Sequence, residues 1–386
     1  MLVAFTLGWA IIYADRTSMY PLLSVIAAQL GLTATQAGLL TSAYFLLYVF
    51  MQIPAGMAGD RFGLKKVLLA TYALVGIGVL GLGLAGASYP ALIGFAALHG
   101  LGAGAYYPAA YGTLLQLVPP RQRAFSSAIL GIGMALGMLA GLAMSGPIYE
   151  RLNDFRAPFW LLSIPTFLML AYFWRAIPDI RSAKAPAWRD YRQILADREL
   201  WLINLSTFTA MYGFWVAVTW GPTFLKLERG FSLGQAGFYT GLVAITAVPG
   251  GLVWGKLADR FGRKPLAMLL LPAAGLALLA LAQVRTTPAI IGALLIFGLF
   301  SNSALTPVMV AWTADIVSQR YPGLMGAAIG AFNCVIMSAA IIAPIVSGFL
   351  RDITGSLVPA VIAGGALVLA GSALLLFLPE KTMERV

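Results

Sequence analysis

The sequence predicts an all-α membrane protein with twelve transmembrane helices in two pseudo-symmetric six-helix bundles. Three observations lead there. The 386 residues are 60% apolar and only 10% charged, whereas soluble domains carry roughly 25% charged residues. Apolar runs of about 20 residues, the length that crosses a bilayer as a helix, recur along the whole chain. They lack the ten-residue alternation of membrane β-strands. Finally, the chain repeats itself: "GMAGDRFGLK" at 56–65 returns as "GKLADRFGRK" at 255–264, an offset of 199 residues.

The runs place spans at 1–27, 36–56, 67–86, 90–117, 124–148, 158–177, 199–225, 233–256, 265–283, 289–316, 323–350 and 357–378. The first has no basic leader and no small-residue cleavage site, so it reads as a span rather than a signal peptide. The same offset of 199 relates the QAG triplets at 36–38 and 235–237, Pro108 to Pro307, Arg121 to Arg320 and Gly131 to Gly330. It divides the chain into an N-terminal bundle 1–177, a polar cytoplasmic linker 178–198 and a C-terminal bundle 199–386.

Charge supports this threading. Of the 25 lysines and arginines, 18 fall on one side of the twelve spans and 6 on the other, counting those at span ends with their loops, which leaves Arg16 as the only one deep within a span. The positive-inside rule then puts both termini in the cytoplasm. The net charge of +11 is accounted for by topology, and nucleic acid is not expected as a partner. The expected location is the plasma membrane, the inner membrane of a bacterium, with the chain a multi-pass monomer in the lipid bilayer. A single cysteine, Cys334, and a single histidine, His99, leave little for a disulfide, a metal cluster or an enzyme's nucleophile and base. No metal, cofactor or catalytic residue is expected. The glycine runs "GLGAGAYYP" (100–108) and "GIGMALGMLAG" (131–141) follow no strand, and they read as close helix packing rather than nucleotide loops.

Duplicated parallel halves are the architecture of alternating-access carriers, with a site near the bilayer midplane. The twice-occurring "GxxxDRFGxK" resembles the cytoplasmic loop signature of the major facilitator superfamily. Within it, "YADR" (13–16), "SAYFLLYVFMQIPAGMAGDRFG" (42–63), "YYPAAYGTLLQLVPPRQRA" (106–124), "VTWGPTFL" (218–225) and "GAFNCVIMSAAIIAPIVSGFLRDITGS" (330–356) resemble the anion:cation symporters. That resemblance implies secondary active transport of a small organic anion, a carboxylate, by alternating access with a proton as coupling ion. The alternative is a drug/proton antiporter of the same fold, which a central arginine disfavours. Two departures stand out. Ala103 occupies the position where many of these carriers place a proton-coupling glutamate, and no second arginine lies between Trp201 and Leu225.

Arg16 lies roughly 22 Å along its helix from Met1 at 1.5 Å per residue, past the middle of a ~30 Å core. An intramembrane charge costs at least ~2.5–3.5 kcal/mol on insertion scales, so it is expected to face a cavity and do a task. Its planar fork of donors matches a carboxylate, which makes Arg16 the expected anion ligand. Asp15 is the only acid deep in a span and the expected proton-coupling residue; burial and Arg16 pull its ionisation in opposite directions. Tyr44 and Tyr48, and again Tyr107 and Tyr111, share a helix face at four-residue spacing and are expected substrate contacts. The repeat pairs Arg16 with Trp215 and Ala103 with Asn302. With Asn333, these two would line the other side of an asymmetric cavity. Asp60, Arg61, Asp259 and Arg260 close the repeated loop and are expected to gate, the carboxylates accepting N–H groups at a neighbouring helix N-terminus. Gly63 and Gly262 permit the turn. His99, alone in mid-span, reads as a packed, hydrogen-bonded neutral residue.

Overall fold

The computed structural model describes residues 2–86, 88–117, 123–178, 188–321 and 324–378, with the side chains of 53, 56, 57, 60, 107–109, 111–117, 123–128, 188–191, 302, 303, 326 and 327 outside the description. Among the described residues it is all helical, and ten helices are long and apolar enough to cross a membrane.

In the first half, α1 (Leu2–Thr17), α2 (Met19–Leu30), α3 (Ala34–Phe62), α4 (Leu64–Leu84), α5 (Tyr89–Leu117), α6 (Arg123–Leu152) and α7 (Ala157–Ala176) follow one another. A short α8 (Trp188–Ala196) comes next. The second half has α9 (Arg198–Trp215), a π-helical turn (Val216–Trp220), α10 (Gly221–Arg229), α11 (Leu233–Phe261), α12 (Arg263–Gln283), α13 (Thr287–Phe300), α14 (Asn302–Arg320), α15 (Met325–Thr354) and α16 (Val358–Leu374). The repeat in the sequence is also a repeat in the backbone. α3 and α11 are both 29 residues long and α4 and α12 both 21, each pair at the 199-residue offset. The turn between them uses Gly63 at φ 94° and Gly262 at φ 97°, a region closed to most L-residues.

The chain groups into two compact units, Met1–Ala185 with Gly221–Gly241, and Pro186–Trp220 with Leu242–Val386. In the first, small residues decide how closely helices approach. α1 lies along α6 because Gly133, Gly137 and Gly141 follow one another at one-turn spacing. Cβ atoms there would come within 2.5, 2.0 and 2.4 Å of the carbonyl oxygens of Thr6, Ala10 and Ala14. α3 lies along α5 in the same way: Cβ atoms on Gly100 and Gly104 would meet the Tyr44 and Tyr48 carbonyl oxygens at 2.0 and 2.2 Å. The glycine runs therefore pack helices, as membrane helices use small residues. The first turns of α11 also belong to this unit, where the Glu150 carboxylate accepts the Gly234 N–H at 3.0 Å.

This packing makes a prediction. Gly137→Ala should force α1 off α6 and lower the melting temperature in detergent, since overpacking costs about 1–3 kcal/mol. Gly131→Ala, where an added Cβ meets nothing within 4 Å, should leave it unchanged or raise it. Equal melting of the two variants would refute the seam.

In the second unit, Asp197 caps α9. Its carboxylate accepts the N–H groups of Glu199 and Leu200 at 2.8 and 3.1 Å, and it also receives Arg320 and the Tyr321 hydroxyl, both at 3.0 Å. Burial alone would raise its pKa. The hydrogen bonds from Leu200, Tyr321, Arg320 and Glu199 outweigh burial and hold it below the ordinary carboxylate value. A depressed folded-state pKa stabilises the fold above the unfolded value of about 3.9, and that contribution disappears as pH falls through the folded value. The melting temperature of the wild type should therefore fall more steeply between about pH 5 and pH 3 than that of Asp197→Asn, which keeps the cap but not the charge. Parallel pH profiles would contradict this.

Candidate functional site

The first span is two helices. α1 ends at Thr17 and α2 begins at Met19, and the hydroxyls beside the break bond backbone carbonyls. Ser18 Oγ donates to the Asp15 carbonyl at 2.7 Å, and Thr17 Oγ donates to the Tyr13 carbonyl at 2.7 Å and to Met138 on α6 at 3.2 Å. Broken helices inside a membrane protein are tolerated where side chains re-satisfy the backbone. The seventh span is also irregular, at the π-turn Val216–Trp220. Pro222, with no N–H to offer, lies two residues beyond it. The repeat offset carries Ser18 onto Ala217, so both irregularities fall at equivalent positions, each just after the Arg16 and Trp215 pair that the repeat matches.

Asp15 and Arg16 sit in the last turn of α1 and are 1% and 5% exposed. They point different ways. Asp15 reaches α7, where the Thr166 hydroxyl donates to Oδ2 at 2.8 Å; Oδ1 has no hydrogen-bond partner. Arg16 lies among aromatic rings, its Cζ 3.8 Å from the Tyr13 ring centre, 5.1 Å from Phe45 and 5.6 Å from Tyr44. Such cation–π contacts stabilise a desolvated guanidinium by about 2 kcal/mol or more. They compete little with in-plane hydrogen bonds, the direction in which a carboxylate is held.

Tyr44 and Tyr48 are buried and stacked at 5.9 Å. The face of α3 that carries them turns toward α5, where the His99 ring meets Tyr44 edge-on at 5.0 Å. A cavity beside them is lined by Asp15, Arg16, Tyr20, Thr41, Tyr44 and His99, with Met19, Leu82 and Ala96 as its apolar wall; it offers about 10 Å³ to the centre of a water molecule. That is room for one water and too little for an organic acid. His99 is 1% exposed and its Nε2 has no hydrogen-bond partner among the described residues.

Trp215 is buried at the end of α9 and Asn333 half-buried on α15, both in the second unit. The side chains of Tyr107, Tyr111, Asn302 and Asp60 lie outside the described residues. Arg61 and Arg260 are exposed, over the Phe62 and Phe261 rings. Among the described residues Asp259 takes no N–H from a helix end. Its carboxylate pairs with the Arg263 side chain, which also reaches Asp315 at 3.3 Å. α12 starts at Arg263, four residues on, so its first side chain is closer to hand than its backbone.

Four participants were not foreseen. Tyr13 and Phe45 surround Arg16, Thr166 holds Asp15, and Tyr106 holds α1 by donating to the Phe5 carbonyl at 2.6 Å while stacking on Trp9 at 5.2 Å. Tyr13 was findable, lying three residues before Arg16 on one helix face. Thr166 gave no local signal.

Fold, repeat and glycine-packed helices together describe a membrane transport protein rather than an enzyme. The sequence profile of the Major Facilitator Superfamily matches residues 5–340 and again 205–386; the chain belongs to this family. The "Probable sulfoacetate transporter SauU" of Cupriavidus necator is 29% identical over 98% of this chain and 93% of its own length. The "Hexuronate transporter" of Bacillus subtilis is 26% identical over 96% and 92%. Among solved structures, a bacterial homolog of the human lysosomal transporter Spinster, inward-facing and occupied, superposes with TM-score 0.82 at 18% identity, covering 97% of this chain and 95% of that one.

Proposed function

We propose that this protein is a secondary active transporter of a small organic anion, working by alternating access and driven by proton symport. The observation that carries the reading is Arg16. A guanidinium 5% exposed inside a membrane bundle, among aromatic rings and beside a carboxylate bonded elsewhere, is costly to keep and suited to a carboxylate or sulfonate. The sulfoacetate and hexuronate transporters among its relatives favour that class of substrate.

In this reading twelve spans form two six-helix bundles, 1–177 and 199–386, joined by the linker 178–198. The protein is a monomer of the bacterial inner membrane with both termini cytoplasmic. Arg16 holds the anion. Tyr44, Tyr48, Tyr107 and Tyr111 shape the site on one side and Trp215, Asn302 and Asn333 on the other. Asp15 takes the coupling proton. Asp60, Arg61, Asp259 and Arg260 control opening on the cytoplasmic side; for Asp259 the ion pair with Arg263 is the contact to be broken.

Counterflow in proteoliposomes tests this. Sulfoacetate, glucuronate, galacturonate, simple monocarboxylates and organic cations are offered in turn, with and without a pH gradient. Exchange of one or more organic anions, with accumulation when the outside is acidic, is expected. Exchange of cations and of no anion would turn the reading to a drug/proton antiporter.

A further inference from the structure

The cavity behind Arg16 has a largely apolar wall broken by a few polar side chains. Two of the residues lining it, Asp15 and His99, each carry a buried atom, Oδ1 and Nε2, that makes no hydrogen bond among the described residues. A third, the Tyr44 hydroxyl, faces Arg16 without a hydrogen bond of standard geometry. Leaving each such atom unsatisfied costs about 1–3 kcal/mol. The space, about 10 Å³ for a water centre, fits one water, and a buried water needs 2–4 polar partners. An ion is a poorer occupant. The Arg16 guanidinium repels a cation there, and the Asp15 carboxylate repels an anion.

We propose that one bound water joins Asp15 Oδ1 to His99 Nε2, with the Tyr44 hydroxyl as third partner, and that His99 shares the coupling proton with Asp15. This rests on the reading of Asp15 as the coupling residue and extends it to a second site. The step balances. The protonated Asp15 carboxyl gives its proton to the water, and the water passes one of its own to Nε2. An O–H bond breaks at Asp15 and an N–H bond forms at His99, so a neutral pair becomes carboxylate and imidazolium. The surrounding titratable or charged groups are Arg16 and Tyr13 on α1, Tyr20 on α2, Tyr44 on α3, Tyr72 on α4 and Tyr106 on α5; α7 contributes the neutral Thr166. Arg16 is the one cation among them and opposes an imidazolium. An organic anion seated on Arg16 removes that opposition. Anion binding and proton uptake then favour each other, and by linkage the effect is reciprocal.

The chain's single histidine allows a direct test. Full-length protein carrying ¹⁵N-histidine reports only His99. In the wild type, Nε2 should carry the chemical shift of an unprotonated, hydrogen-bonded nitrogen at neutral pH. Asp15→Asn should move the titration midpoint of the ring by about one pH unit, tenfold in proton affinity. An unmoved midpoint would overturn the link. A transport measurement serves if that variant does not fold. With the anion chosen by counterflow, His99→Gln should lower the ratio of pH-driven uptake to counterflow roughly tenfold, the size of a typical coupling. An unchanged ratio in His99→Gln, with the ratio lost in Asp15→Asn, would overturn the His99 role and leave the Asp15 reading standing. If the wild type ignores a pH gradient, the symport reading fails instead, and the midpoint measurement alone decides whether the two residues share the water.

Discussion

Arg16→Ala is expected to weaken binding of the transported anion by roughly 30-fold or more. Truncating one member of a buried, hydrogen-bonded charge pair costs about 2–5 kcal/mol, and each 1.4 kcal/mol is tenfold. Loss of packing alone would also impair transport, so the variant needs a second readout. The rings of Tyr13, Phe45 and Tyr44 that surround the guanidinium can close on a smaller side chain or accept an ammonium. Arg16→Lys therefore keeps charge and cation–π contact but offers no planar fork. Its melting temperature should stay near that of the wild type while its anion affinity stays near that of Arg16→Ala. Recovery of wild-type affinity in Arg16→Lys would mean that charge alone is read and that bidentate geometry is not used.

Asp15→Asn carries the second large effect. Asparagine still accepts the Thr166 hydroxyl that now donates to Oδ2, so α1 and α7 stay joined and the fold is retained. It cannot take up or release a proton near neutral pH. Accumulation driven by an acidic exterior should fall to the level seen without a gradient, while counterflow with anion on both sides continues. Persistence of pH-driven accumulation in Asp15→Asn would remove this residue from the coupling.

The sequence was informative wherever a physical rule acts locally or repeats. The 199-residue offset, read from two loop motifs, is carried by the lengths of α3, α4, α11 and α12 and by the matched turns at Gly63 and Gly262. The glycine runs declared close packing, though not that Gly137 meets Ala10 or that Gly100 meets Tyr44. The break at Ser18 was hidden because the polar run Asp15–Ser18 marks an anomaly in the span but not an interruption of its helix. It depends on hydroxyls finding carbonyls both nearby and on α6. The π-turn before Pro222 was hidden for a similar reason: a missing N–H predicts a disturbed helix but not its form.

At the site, two adjacent charges inside a span were visible as an anomaly, and the 100° between neighbouring helix positions already implied that they diverge. Where each goes was not visible. Asp15 meets Thr166 and Arg16 meets Phe45 through tertiary packing that no spacing encodes. His99 is packed as a lone core histidine is, but that it lines a small cavity and leaves Nε2 without a partner among the described residues depends on tertiary packing.

The central claim is that an organic anion binds through Arg16. Titration calorimetry of the purified wild type and Arg16→Ala with the anion selected by counterflow, at constant pH and salt, tests it most directly. The account predicts binding by the wild type and an affinity lower by roughly 30-fold or more in the variant, with both proteins melting as folded species. Equal affinities in the two would contradict it.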